Sequence, residues 1–136
     1  MTEQQMNIFA ATARFDHAHI FCSDLEASER WFSEVLGAEV YRRPTKPGQP
    51  VTAVAAVGGL TFLLRPLRDD EVLQEAIGQY FGLDHVGFLV PDIIAAVADL
   101  KSRGASVTDE PTELRPGVWV AFIEGPDQLR IEILQK

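Results

Sequence analysis

The sequence predicts an α+β fold made of two tandem βαβββ modules, and three observations carry that prediction. The chain has 136 residues, the size of one ordinary domain, and 46% of them are hydrophobic, enough to bury a core. It repeats itself: Phe15-Asp16-His17-Ala18-His19-Ile20-Phe21-Cys22-Ser23-Asp24-Leu25 aligns without a gap on Leu83-Asp84-His85-Val86-Gly87-Phe88-Leu89-Val90-Pro91-Asp92-Ile93. Beyond each copy the apolar spacing turns helical and then reverts to strand-like segments broken by Pro and Gly.

The elements follow in chain order. Residues 1–14 carry no basic flank ahead of an apolar run, so they read as an N-terminal arm or an extra edge strand and not as a signal peptide. The first module, 15–66, opens with the strand around His17 and continues into a helix with apolar positions Leu25, Phe32, Val35 and Leu36. Ser23 followed by Glu26 reads as its capping box, and Gly37 can take the left-handed conformation that stops it. Strands are expected at 38–43, 51–57 and 59–65. A linker, 67–82, is expected to hold a short helix over 69–80. The second module, 83–136, repeats the plan: a strand from His85, a helix capped by Asp92 with Ile93, Val97 and Leu100 on one face, a stop at Gly104, and strands at 105–109, 117–123 and 128–134. A four-stranded sheet with one helix on one face leaves its other face bare, so two such halves are expected to enclose a cleft.

Composition narrows the partners. A formal charge of −8 repels phosphate backbones and anionic membranes, which argues against nucleic acid and membrane partners. No apolar run approaches the roughly 20 residues that span a bilayer. A single cysteine, Cys22, forms no internal disulfide and fits a reducing cytoplasm.

Strand alternation sorts side chains between the helix-packed face and the cleft. Ala18, Ile20 and Cys22, then Val86, Phe88 and Val90, then Leu129, Ile131 and Ile133 form the apolar, helix-packed sets. His17 and His19, His85 with Gly87 and Leu89, and Arg130, Glu132 and Leu134 are left to the cleft. Two histidines at repeat-equivalent positions and one carboxylate are the donors of a catalytic transition-metal site that keeps coordination positions open. His17, His85 and Glu132 are therefore the expected ligands of one divalent ion, with Fe2+ favoured and Mn2+, Ni2+ and Zn2+ also suited to the set.

The pattern Asp-His-x-x-apolar-x-x-x-Asp-Leu/Ile, a helix ending at Leu36-Gly37 or Arg103-Gly104, and Gly125-Pro126-Asp127 ahead of Ile131-Glu132-Ile133-Leu134 resembles the vicinal oxygen chelate superfamily. That superfamily includes glyoxalase I, methylmalonyl-CoA epimerase, fosfomycin-resistance enzymes, extradiol dioxygenases and bleomycin-resistance proteins. The resemblance covers residues 15 to 135 and implies the same three ligands, a small-molecule substrate and a homodimer. Glyoxalases and epimerases usually add a fourth ligand, Glu or Gln, from the last strand of the first module. Setting Thr61-Phe62-Leu63-Leu64 against Ile131-Glu132-Ile133-Leu134 puts Phe62 there, which can neither bind a metal nor move a proton. His19, two residues from His17 on the same face, is then the expected general base. Phe62, Leu64 and Leu89 are expected to give the cleft an apolar lining for the substrate, with Arg130 beside them.

Two enzyme chemistries are consistent with this reading. In one, Fe2+ takes up a substrate through vicinal oxygens together with dioxygen; in the other, a redox-inert ion acts as a Lewis acid in a glyoxalase-like isomerase or lyase reaction. The alternative from another class is a metal-free drug-binding protein of the bleomycin-resistance type. The cleft could form within one chain or between exchanged modules.

Overall fold

The structure is a computed structural model and describes residues 5–44, 46–48, 51–75 and 80–136. After a short helix, α1 (Ile8–Thr12), the first module runs β1 (Ala18–Cys22), α2 (Leu25–Glu34), β2 (Glu39–Arg43), β3 (Thr52–Val57) and β4 (Leu60–Pro66). The second runs β5 (Val86–Leu89), α3 (Ile93–Ser102), β6 (Ser106–Arg115), β7 (Val118–Glu124) and β8 (Arg130–Gln135). Each module is a four-stranded sheet, ordered β1-β4-β3-β2 and β5-β8-β7-β6. The first strand pairs parallel with the last and the others antiparallel, so the duplication read in the sequence is a duplication of topology. Among its described residues, 5–14, the arm carries a five-residue helix and no strand, and Ile8 and Phe9 on it are exposed.

The helices start and stop for local reasons. Asp24 and Asp92, repeat-mates, are the N-caps, their carboxylates accepting the N–H of Ala27 and Ala95 at 3.0 Å each. This corrects the capping box assigned to Ser23: its backbone N–H instead donates to Asp127 at 3.0 Å. Gly37 (φ 68°) and Gly104 (φ 92°) end the helices in the left-handed region, as expected. Leu25 and Phe32 of α2 pack on Cys22, Ala53, Ala55, Phe62 and Leu64 of their sheet, and Ile93 and Val97 of α3 on Ala121, Ile123, Ile131 and Ile133 of theirs.

The two cores are continuous through residues that belong to both. Trp31 and Leu36 of the first module pack against the second core, and Val86 and Phe88 of the second against the first. Each module's last hairpin turn touches the other module: Gly58 lies against Phe88, and Gly125 against Trp31.

Two further expectations change. Strand β6 runs to Arg115 and not to 109, because the register shifts around Pro111 let an edge strand continue past a residue that cannot donate a hydrogen bond. The linker forms no helix among its described residues, 67–75 and 80–82; residues 76–79 of the expected helix lie outside the described residues. What ties the linker down is Glu71, which accepts both nitrogens of the Arg65 guanidinium at 2.7 and 3.0 Å and the N–H of Arg68 at 2.6 Å. Arg65 holds Glu71 at about 2, well below the usual carboxylate value.

Candidate metal centre

The site is best read as two rows of side chains, one across the open face of each sheet. Cross-strand pairing sets the row His19–Leu63–Val54–Tyr41 in the first sheet. The equivalent row in the second is Gly87–Glu132–Phe122–Asp109. A glycine at 87 leaves room for the carboxylate beside it, since a Cβ there would lie 3.5 Å from the Glu132 Oε2.

This register overturns one expected placement. Ala18 pairs with Phe62 where its repeat-mate Val86 pairs with Ile131, so the counterpart of Glu132 is Leu63 and not Phe62. Phe62 and Leu64 have no exposed surface and pack under α2, Phe62 with its ring centre 4.9 Å from that of Phe32. They line the core and are closed to any substrate in the cleft. A one-residue slip moves every side chain of a strand to the opposite face, and the observed register differs from the expected one by that single residue. The alternation Leu60, Phe62, Leu64 against Thr61, Leu63, Arg65 already contained the signal. Leucine is no more a metal ligand than phenylalanine, so the β4 position equivalent to Glu132 still offers no donor atom.

His85 and Glu132 meet, with Nε2 2.9 Å from Oε2. That is the length of a direct hydrogen bond between the two side chains, and it also equals the roughly 3 Å between two donors held at right angles on one ion by bonds of about 2.1 Å. On its other side His85 Nδ1 lies 2.7 Å from Asp84 Oδ2; an ionised carboxylate only accepts, so this nitrogen carries hydrogen. The hydrogen bond from His85, then the nearby Arg130, keeps the Asp84 carboxyl below its usual range. Arg130 pairs with Asp84 and lies over the face of Phe122, its Cζ 3.9 Å from the ring centre. Phe122 also meets the His85 ring edge-on at 5.2 Å. Asp84 and Phe122, absent from the expected site, are thus part of this cluster; the Asp-His pairing in the repeated motif pointed to the first, and nothing in the sequence to the second.

His17 stands elsewhere in the chain. Its Nδ1 lies 2.6 Å from Asp16 Oδ2, repeating the Asp84–His85 contact, but among the described residues no three His, Cys, Asp or Glu side chains come together to hold a metal ion. His19 is exposed and stacks on Phe21 at 5.7 Å, and Arg65 covers that ring from 4.5 Å. Partial burial, then the charges of Arg65 and His17, push the His19 imidazole below its ordinary value. Leu89 is largely exposed on the open face. Arg42 donates two hydrogen bonds to the Glu29 carboxylate on α2, which ties β2 to that helix. Cys22 is buried, which raises its thiol pKa and disfavours the reactive thiolate.

The sequence profile of the Glyoxalase/Bleomycin resistance protein/Dioxygenase superfamily matches residues 14–133. The chain belongs to this superfamily. A probable lactoylglutathione lyase of Synechocystis is 27% identical over 124 residues, covering 88% of this chain and 92% of that protein. A chloroplastic one of Arabidopsis thaliana is 28% identical over 127 residues, covering 90% of this chain but only 36% of the longer plant protein. The crystal structure of a domain of the same superfamily from Frankia superposes with a TM-score of 0.70 at 25% identity, over 91% of this chain and 92% of that one. Membership of the glyoxalase superfamily accounts for the paired βαβββ sheets; no helix of the described residues is long and apolar enough to cross a membrane.

Proposed function

We propose that this glyoxalase-superfamily protein is a metal-dependent enzyme that moves a proton on a small, partly hydrophobic substrate bearing adjacent oxygens. The observation that carries the reading is the approach of His85 and Glu132 at ligand spacing on an open sheet face. The lactoylglutathione lyase names of the relatives support lyase or isomerase chemistry.

His85 and Glu132 supply two ligands, and His17 of a second copy supplies the third, which gives the homodimer a chemical purpose. A divalent ion bound by these groups, Fe2+, Mn2+, Ni2+ or Zn2+, supplies Lewis-acid polarisation of a substrate carbonyl. Leu63 removes the usual carboxylate base from the first module, and His19, its cross-strand neighbour, is the residue positioned to take and return the proton. Leu89 offers apolar surface to the body of the substrate. The lone, buried Cys22 suits a cytoplasmic protein.

A dioxygenase remains the second reading, favoured by the non-ligating Leu63, which leaves more of the ion open. Metal analysis after reconstitution, with an oxygen electrode, separates the three functions. Bound metal without oxygen consumption supports proton transfer, metal with oxygen consumption supports the oxygenase, and no metal supports a drug-binding protein. Shared ligation is tested by mixing two variants. His17→Ala and Glu132→Gln should each bind no metal alone, and the co-refolded pair should recover one intact site of the two in a dimer. A pair that stays empty would place all ligands within one chain.

A further inference from the structure

The two Asp-His pairs are identical in sequence, but the structure treats them differently. Asp16 touches His17 and is 91% exposed. Asp84, 53% exposed, is also gripped by Arg130 through the same oxygen, Oδ2, that meets His85, and the guanidinium is itself seated on the Phe122 ring that packs against His85. Asp84, His85, Phe122 and Arg130 therefore form a closed ring of contacts, to which Glu132 is joined at His85. The first module cannot build one, because the repeat position of Arg130 falls on Thr61 and that of Phe122 on Val54.

We propose that Asp84, braced by Arg130, is a positioning residue that fixes the ring of His85 and points its Nε2 at the ion-binding edge shared with Glu132. The second module is thus the pre-organised half of the metal centre, and the His17 half is loose until assembly. This rests on reading His85 as a ligand. The physical basis is that a carboxylate receiving the far N–H of a ligating imidazole sets its tautomer and orientation and raises its basicity. A carboxylate that is itself held does so without first losing its own rotational freedom.

The test uses Co2+ as the probe, with affinity from competition against a chromophoric chelator and the visible Co2+ spectrum as a reporter of imidazole ligation. Asp84→Asn should weaken Co2+ binding by roughly 10- to 100-fold, and Asp16→Asn by no more than about threefold. Arg130→Met should weaken it by several-fold and shift the Co2+ bands, and Arg130→Lys, which can still pair with Asp84, should recover part of the loss. Melting temperatures should stay near that of the parent, since both side chains are partly exposed. Co2+ binding by Asp84→Asn equal to the parent's, or an equal loss in Asp16→Asn, overturns the proposal and leaves the metal reading intact. A parent protein that binds no Co2+, Zn2+ or Fe2+ overturns both.

Discussion

Gly125 lies so close to the indole of Trp31 that a Cβ at position 125 would stand 2.8 Å from its Cη2. The backbone there is extended (φ −103°, ψ −166°), a conformation any residue adopts, so the glycine is required by space and not by dihedral angle. Because Trp31 joins the two cores, this contact sets how closely the modules pack. Gly125→Ala should cost about 1–3 kcal/mol by overpacking. Chemical denaturation followed by tryptophan fluorescence measures it, and the cost should largely disappear in a Trp31→Ala background; an equal cost in both backgrounds would contradict the steric account.

The register of β4 makes a second prediction. Phe62→Ala should destabilise the protein by about 3–5 kcal/mol, the range for removing a fully buried aromatic side chain. Were Phe62 a cleft residue, the same change would leave the denaturation midpoint nearly unmoved.

Helix capping makes a third. Asp24→Ala and Asp92→Ala should each cost about 1 kcal/mol, because each strands a first-turn N–H. Ser23→Ala should fall within about 0.5 kcal/mol of the parent, since Ser23 contributes its backbone and not its side chain. Thermal melts of the three variants compare them directly.

Acid stability makes a fourth. Glu71 titrates at about 2 in the folded chain against an ordinary 4.5, so the folded state binds its proton less readily than the unfolded state does. The stabilisation from the Arg65–Glu71 pair is therefore fully present above about pH 4.5 and is lost as pH falls toward 2. Glu71→Gln should flatten the stability profile between those limits while leaving the shape above pH 5 unchanged. Urea midpoints measured from pH 2 to 7 provide the comparison, and parallel profiles would rule the pair out as a source of acid sensitivity.

Repetition made most of the fold legible. The gapless match of residues 15–25 to 83–93, the apolar spacing of Leu25, Phe32 and Val35, and Gly37 and Gly104 at the helix ends all act over a few residues and survive in any tertiary setting. The approach of Glu132 to His85 was legible too, because Leu129, Ile131 and Ile133 in and before β8, and Val86 and Phe88 in β5, mark the helix-packed face and leave Glu132 and His85 to the other. Strand β4 was harder. Phe62, Leu63 and Leu64 are all apolar, so composition alone does not say which of them turns inward.

The sequence by itself determined the two βαβββ units, the glycine stops of both helices, the Asp92 cap and the approach of Glu132 to His85, since these depend on period and near neighbours. Tertiary structure alone decided that Arg130 braces Asp84 against Phe122, and that His17 does not join His85 and Glu132 in one cluster among the described residues. Those outcomes depend on contacts between strands far apart in sequence, and cross-strand register and module packing are settled by burial over the whole sheet and not by any local signal.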